Sequence, residues 1–273
     1  MTDYKIIIRG AGDISTGTIH RLFRAGFRPL VLEADHPSAI RRQVAMSECV
    51  YDGEATVEGV KAVLVHSLEE AEEVIDKAVP VLIDPKGSCI SRYKPDVVID
   101  AILAKKNLGM TKDMAPLTIA LGPGFTAGED VDYVIETMRG HNLARIIENG
   151  PAMPHTGTPG LIAGIGKERV IHSPADGILR NVHHIADTVE IGEEIAFIET
   201  ADHKRVSIPA SISGLIRGLI RDGYPVTKGF KIADIDPRLG EYKNCFTISD
   251  KARCIAGSVL ELVSADFMRK LQA

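Results

Sequence analysis

Gly10, Gly12, Asp13, Thr16, Gly17 and Glu33 carry the clearest chemical logic in this 273-residue chain. Lys5-Ile6-Ile7-Ile8-Arg9 precedes them as a short β-branched run. Gly10-Ala11-Gly12-Asp13-Ile14-Ser15-Thr16-Gly17 follows at once, and Pro29-Leu30-Val31-Leu32 then leads to Glu33. The order reads as strand, glycine turn, helix, strand, acid. A glycine turn between a strand and a helix start aims backbone N–H groups and the positive end of the helix dipole at an anion. An acid about 20 residues on, at the end of the next strand, can accept from a ribose hydroxyl. Gly10 and Gly12 fill the first two places of G-x-G-x-x-G, Ser15 stands in the third, and Gly17 comes two residues late. The expected ligand is nucleotide-type, with NAD(P) the first cofactor to consider. Arg41 and Arg42 either meet a 2′-phosphate or face solvent.

Gly122, Gly124 and Thr126 repeat the arrangement. Leu117–Leu121 predicts a strand, and Thr126 with Glu129 has the spacing of a capping box. Val131, Val134, Ile135 and Met138 predict a helix. Two such turns beyond the carboxyl ends of parallel strands would face one crevice; a plain tight connection is the alternative. His155 and Thr156 lie in the Pro/Gly-rich stretch Gly150–Gly160. His183 and His184 are adjacent and point to opposite faces of a strand, so no metal site is expected.

The elements that must position these groups follow from pattern. Ala62–Val65, Val79–Ile83 and Asp96–Ile99 predict further strands, and Ser67 with Glu70 caps a helix between them. Asp100–Asn107 predicts a short helix. Alternating strands and helices predict an α/β fold, a Rossmann-like doubly wound, mostly parallel sheet over residues 1–150. Residues 151–170 read as a linker. From 171 to 237 the chain repeats itself with an offset of 37 residues, Gly177-Ile178-Leu179-Arg180 against Gly214-Leu215-Ile216-Arg217, Val189 against Val226 and Gly192 against Gly229. Neither half buries a core alone, but together they can close a small flattened barrel. This pattern resembles the biotinyl/lipoyl-type barrel-sandwich hybrid, in which the hairpin joining the halves carries a modified lysine; here that hairpin holds Lys204. Residues 238–273 form a C-terminal segment, ending in a helix capped by Ser249, that packs back on the first domain.

A net charge of −5 gives no reason to expect nucleic acid, and the absence of Trp argues against a base-stacking surface. No run of about 20 apolar residues is present to span a membrane. The Met1-Thr2-Asp3-Tyr4 start is unlike a signal peptide. Cys49, Cys89, Cys245 and Cys254 form no C-x-x-C pair and read as free thiols in a reducing cytoplasm.

Several strings together resemble one family. Arg9-Gly10-Ala11-Gly12-Asp13, Ala39-Ile40-Arg41-Arg42, Leu121-Gly122-Pro123-Gly124-Phe125-Thr126, Thr156-Gly157-Thr158-Pro159-Gly160 and Cys245-Phe246-Thr247-Ile248-Ser249-Asp250 are similar to the YqeB-type accessory proteins of the selenium-dependent molybdenum hydroxylase system. Their Rossmann part is similar to XdhC-type maturation factors. The resemblance implies a maturation factor for such a hydroxylase that binds a nucleotide or a molybdopterin-type nucleotide cofactor, with the hydroxylase as partner. It makes Cys245 the candidate nucleophile for selenium or sulfur transfer, against packed core. An NAD(P)-dependent oxidoreductase and a non-catalytic docking module are the alternatives; self-association into a homo-oligomer is allowed by all three.

Overall fold

The computed structural model describes residues 4–157 and 160–272. Thr158 and Pro159 of the Thr156–Gly160 string, and the Met1-Thr2-Asp3 start, lie outside the described residues. The chain forms two compact units. Unit 1 comprises Met1–Pro37, Ala45–Thr156 and Ile248–Ala273, and unit 2 comprises Ser38–Val44 and Gly157–Thr247.

Unit 1 contains β1 (Ile6–Arg9), β2 (Pro29–Glu33), β3 (Glu54–Val57), β4 (Val60–Val65), β5 (Val79–Ile83), β6 (Val97–Asp100), β7 (Leu117–Leu121), β8 (Thr126–Ala127), β9 (Tyr133–Ile135), β10 (Ile146–Ile147) and β11 (Gly150–Pro151). Nine of them make one sheet in the order β10-β9-β7-β6-β1-β2-β5-β4-β3. Seven neighbours run parallel, while β3 and β10 at the two edges are antiparallel. β1 is central, and Ile6, Ile7 and Ile8 have no exposed surface. That explains an apolar run without alternation.

The expected Rossmann-like doubly wound architecture is corrected here. The sheet is mixed, and double winding needs a helix in each crossover, whereas the β6–β7 and β7–β9 connections have no α-helix and most of the others have only a short one. Only α1 (Asp13–Arg24) is a full-length crossover helix; α2 (Cys49–Asp52), α3 (Leu68–Val74) and α4 (Ile90–Tyr93) are short. The predicted helix at 100–107 is an irregular loop with Leu103 and Lys105 at positive φ. The predicted helix after Thr126 is β9. Asp132 decides that outcome: its carboxylate accepts from Thr118 N (2.9 Å) and Thr118 Oγ1 (2.8 Å), pinning the segment beside β7. Val134 and Ile135 then pack as strand residues, Val131 bridges to Ala127, and tertiary contact overrides helical spacing.

The terminal helix α5 (Asp250–Gln272) packs on α1. Ser249 Oγ accepts from Ala252 N at 3.2 Å, an N-cap bond. Ala252, Val259 and Val263 are buried. Tyr4, Phe27 and Phe267 form a ring cluster at the far end, with centroids 5.2–6.0 Å apart, and Tyr4 donates to Asp266 at 2.7 Å.

Unit 2 contains β12 (Val170–His172), β13 (Gly177–Asn181), β14 (Thr188–Val189), β15 (Glu194–Glu199), β16 (Arg205–Pro209), β17 (Gly214–Leu219), β18 (Pro225–Val226) and β19 (Lys231–Asp236). They form two four-stranded antiparallel sheets, β12-β19-β17-β14 and β16-β15-β13-β18. Leu179, Ile195, Ile198, Ile216, Ile232 and Ile235 share one core. The repeat glycines play the same part in both halves. A Cβ on Gly177 would collide with the Glu199 carbonyl oxygen, and one on Gly214 with that of Asp236. A self-contained barrel-sandwich domain over 171–237 is nevertheless not what the chain builds. Leu219 N donates to Ile40 O at 2.8 Å, and Ser38–Val44 and the turn at Leu239–Cys245, both outside 171–237, are part of the unit.

Candidate functional site

The β1–α1 turn brings Gly10, Gly12, Asp13, Thr16, Gly17 and Glu33 together, but most of them serve the protein itself. Gly10 has φ +93 and donates to Leu32 O at 2.7 Å; a Cβ there would stand 3.0 Å from the Ile102 backbone. Thr16 is buried, its Oγ1 donating to Ala11 O (3.2 Å) and accepting from Met46 N (3.0 Å). A Cβ on Gly17 would stand 2.8 Å from that of Ala252, so Gly17 is where α1 and α5 meet. Glu33 folds back onto the turn, accepting from Ala11 N at 2.6 Å and from Ala34 N at 2.7 Å. Burial pushes its carboxyl up, opposed by those two amide bonds.

Gly12 is the exception. It is the N-cap of α1 in extended backbone (φ −65, ψ 178), a conformation open to any residue, and a Cβ on it would meet nothing within 4 Å. The first intrahelical bond is Thr16 N to Gly12 O, so the amides of Asp13, Ile14 and Ser15 have no carbonyl inside the helix. The Lys251 ammonium feels Asp13 and Arg139, and burial first and then Arg139 pull its pKa down. The His155 imidazole is pulled down by burial and then by Lys105 and Lys251. Arg139 itself is paired with Asp250 at 2.7 and 2.8 Å.

Gly122, Gly124 and Thr126 do not form a second anion site, because no helix follows them. Gly122 N donates to Ile135 O at 2.8 Å. Gly124 has φ +110, and a Cβ there would stand 2.6 Å from Lys106 N. Thr126 N donates to Asp130 Oδ2 at 2.8 Å. Gly10 and Gly124 thus pack against the same loop, residues 101–106. Arg41 and Arg42 belong to unit 2 and face no 2′-phosphate there: Arg41 Nη2 donates to Asn244 O (3.0 Å) and Thr247 O (3.1 Å), and Arg42 Nε to Leu219 O (2.8 Å). Cys245 is 1% exposed, and burial pushes its thiol up. Lys204 is exposed on the β15–β16 hairpin and pairs with Asp202 at 2.7 Å. Among the described residues, no group of three or more His, Cys, Asp or Glu could hold a metal ion, and no helix is long and apolar enough to cross a membrane.

Two charged groupings were not legible in the sequence. One is the buried pair Arg9–Asp100, signalled only by a basic residue closing an apolar strand. The other is a set of arginines around Asp234 and Asp236, signalled by the alternation in Ile232-Ala233-Asp234-Ile235-Asp236.

The fold and site define a two-unit protein, a mixed α/β sheet with an antiparallel β unit. No protein-family model matches the chain. It is YqeB-type, as its motifs suggest: it is 50% identical over 257 residues, 94% of its length, to the protein of Escherichia coli strain K12 described as uncharacterized protein YqeB. The chain spans about half of that relative, 46% of its length.

Solved structures that align with it include a succinylglutamate desuccinylase/aspartoacylase from Rhodobacter sphaeroides (12% identical, 86% of each chain, TM-score 0.28) and an aspartoacylase family protein from Mesorhizobium loti (13%, 86% of each, 0.28). The ectoine utilization protein EutE (DoeB) from Ruegeria pomeroyi aligns at 12% identity over 85% of this chain and 84% of its own, with a TM-score of 0.26. Scores this low assign neither fold nor activity. The expected role as a hydroxylase-maturation factor is nevertheless corrected, and its two alternatives are not taken further. The paired phosphate turns behind the expectation are absent. One turn has its Ala11 amide taken by Glu33, and the other has no helix.

Proposed function

We propose that unit 1 binds a small molecule through an anionic group held at the start of α1. The observation that carries this reading is Gly12. Gly10 and Gly17 are explained by close packing, whereas nothing inside the protein requires glycine at position 12, and the space before it is open. The helix dipole and the Lys251 ammonium, which interacts with Asp13 at the first position of α1, favour negative charge at that point. NAD(P) and molybdopterin-type nucleotides, the cofactor classes suggested by the sequence, are among the ligands to try.

The test is a titration of inorganic phosphate, ADP and NAD⁺ followed by the NMR signals of the His155 ring. A bound anion near Lys105 and Lys251 raises the His155 pKa, because it offsets their repulsion. The expected result is a saturable shift with at least one ligand, lost in Gly12→Val. A His155 ring indifferent to all three ligands defeats the reading.

A further inference from the structure

Unit 2 gathers more guanidinium than carboxylate in one place. On β17 and β19, Ile216 registers with Ile235 and Gly218 with Asp234, so Arg217 is the extra residue of a bulge between them. Val170 also registers with Asp234, which sets Arg169 beside it, and Arg169 pairs with Asp234. The missing side chain of Gly218 admits the Ile40 backbone, whose carbonyl oxygen lies 3.1 Å from where a Cβ would stand. That seam carries Arg41 to the same patch. Asp236 is already held by Arg238, through Nε at 3.0 Å and Nη2 at 2.8 Å. Four guanidinium groups therefore share two buried carboxylates, each of which has its own arginine.

Arg217 is left over. Its Nε and that of Arg169 are buried without a hydrogen bond among the described residues. Burial and then Arg41 push the Arg217 pKa down, but a guanidinium does not lose its proton in a protein. Buried charge and buried N–H groups both call for an anion. Arg217 is only half-buried, which leaves an approach from solvent. We propose that Arg217, with Arg41 and Arg169 beside it, binds a small tetrahedral oxyanion of the phosphate class. Two surplus positive charges match a dianion, and the flat forks of several arginines suit oxygens arranged in three dimensions. This site is separate from the one at α1.

Thermal melting at constant ionic strength in chloride tests it, with phosphate, sulfate or succinate added to roughly 10 mM. The full chain is compared with Gly12→Val, Arg217→Gln and Arg217→Lys. Phosphate and sulfate are expected to raise Tm saturably, by about 5 °C at a hundredfold excess over Kd, in the wild type and in Gly12→Val alike. With Gly12→Val in the background, which removes any phosphate held at α1, the rise is expected to vanish on adding Arg217→Gln and to need more phosphate on adding Arg217→Lys, which keeps the charge but not the fork. No rise in the wild type overturns the proposal. So does a rise that survives both Arg217 variants in the Gly12→Val background, or one matched by succinate. A rise lost in Gly12→Val and kept in Arg217→Gln also overturns it, while leaving the α1 site standing.

Discussion

Arg9 Nη1 lies 3.1 Å from Asp100 Oδ2, and both side chains are 2% exposed. Arg9 closes β1 and Asp100 closes β6, two neighbouring parallel strands in which these residues register directly. Arg9 Nη2 also donates to Leu108 O at 3.0 Å and to Pro85 O at 3.4 Å. One guanidinium therefore ties the loops after β5 and β6 to the end of β1. The pair is a structural clasp at the sheet's carboxyl edge.

Removing one partner should be costly. Arg9→Met leaves the Asp100 carboxylate buried without its counter-ion, and the expected loss is about 3–5 kcal/mol in urea unfolding. The double variant Arg9→Met, Asp100→Leu should recover much of that loss, because an apolar pair of similar volume avoids the desolvation cost. A single variant as stable as the wild type contradicts the clasp.

Gly17 separates packing from ligand binding within one turn. Gly17→Ala places a methyl 2.8–2.9 Å from Ala252, partly against its backbone. α1 and α5 must then move apart, at a cost of about 1–3 kcal/mol. Gly12→Ala meets open space and should leave the fold unchanged, with only the small loss expected of Ala at an N-cap. Chemical denaturation of the two variants side by side measures the difference.

These two glycines also mark how far the sequence could be read. Strand β1, the turn, α1, β2 and the Ser67 cap were legible because local chemistry decides them: Ser67 Oγ does accept from Glu70 N. The glycine pattern, in contrast, does not say what approaches the backbone. At Gly10 and Gly124 it is the protein's own loop at 101–106. The segment after Thr126 has helical spacing, yet Asp132 pairs with Thr118 and makes it a strand. Such outcomes depend on residues far along the chain, as does the meeting of Arg41 with Arg217. The internal repeat was visible because both halves need glycine at the same close approach, Gly177 and Gly214.

That equivalence is testable. Gly177→Ala and Gly214→Ala each force a methyl into a carbonyl oxygen of the opposing strand, Glu199 in one half and Asp236 in the other. The two should destabilise unit 2 to a similar degree, by about 1–3 kcal/mol. Hydrogen exchange of the β13–β15 and β17–β19 amides checks it. A large loss in one variant with none in the other breaks the symmetry.

Glu33 makes stability depend on pH. Burial raises its carboxyl above the ordinary value of 4.5 in the folded state, so folding favours its protonated form. Its titration therefore stabilises fully below the unfolded pKa, and that contribution is lost as pH rises through the folded value. Glu33→Gln cannot titrate. The advantage of wild type over Glu33→Gln, measured by urea unfolding, should be larger at pH 4 than at pH 8. An advantage that grows with pH would mean the two amide bonds outweigh burial.

The thiols should divide sharply by environment. Burial pushes Cys49 up to about 12, with Glu33, Glu48 and Asp52 adding to it, and Cys89 rises to about 12 through burial and its bond to Asp84. Cys245 is raised by burial and only partly offset by Arg217 and Arg41. Cys254 is exposed. At pH 8 a disulfide reagent should therefore modify Cys254 within seconds to minutes and leave Cys49 and Cys245 untouched until urea is added, since the thiolate is the reacting form. Mass mapping of the modified peptide identifies the site. Prompt labelling of Cys245 in the native chain would mean that the turn at Leu239–Cys245 opens. The guanidinium groups of Arg41 and Arg217 would then lie beside a reactive thiolate, which is the one arrangement that returns Cys245 to consideration as a nucleophile.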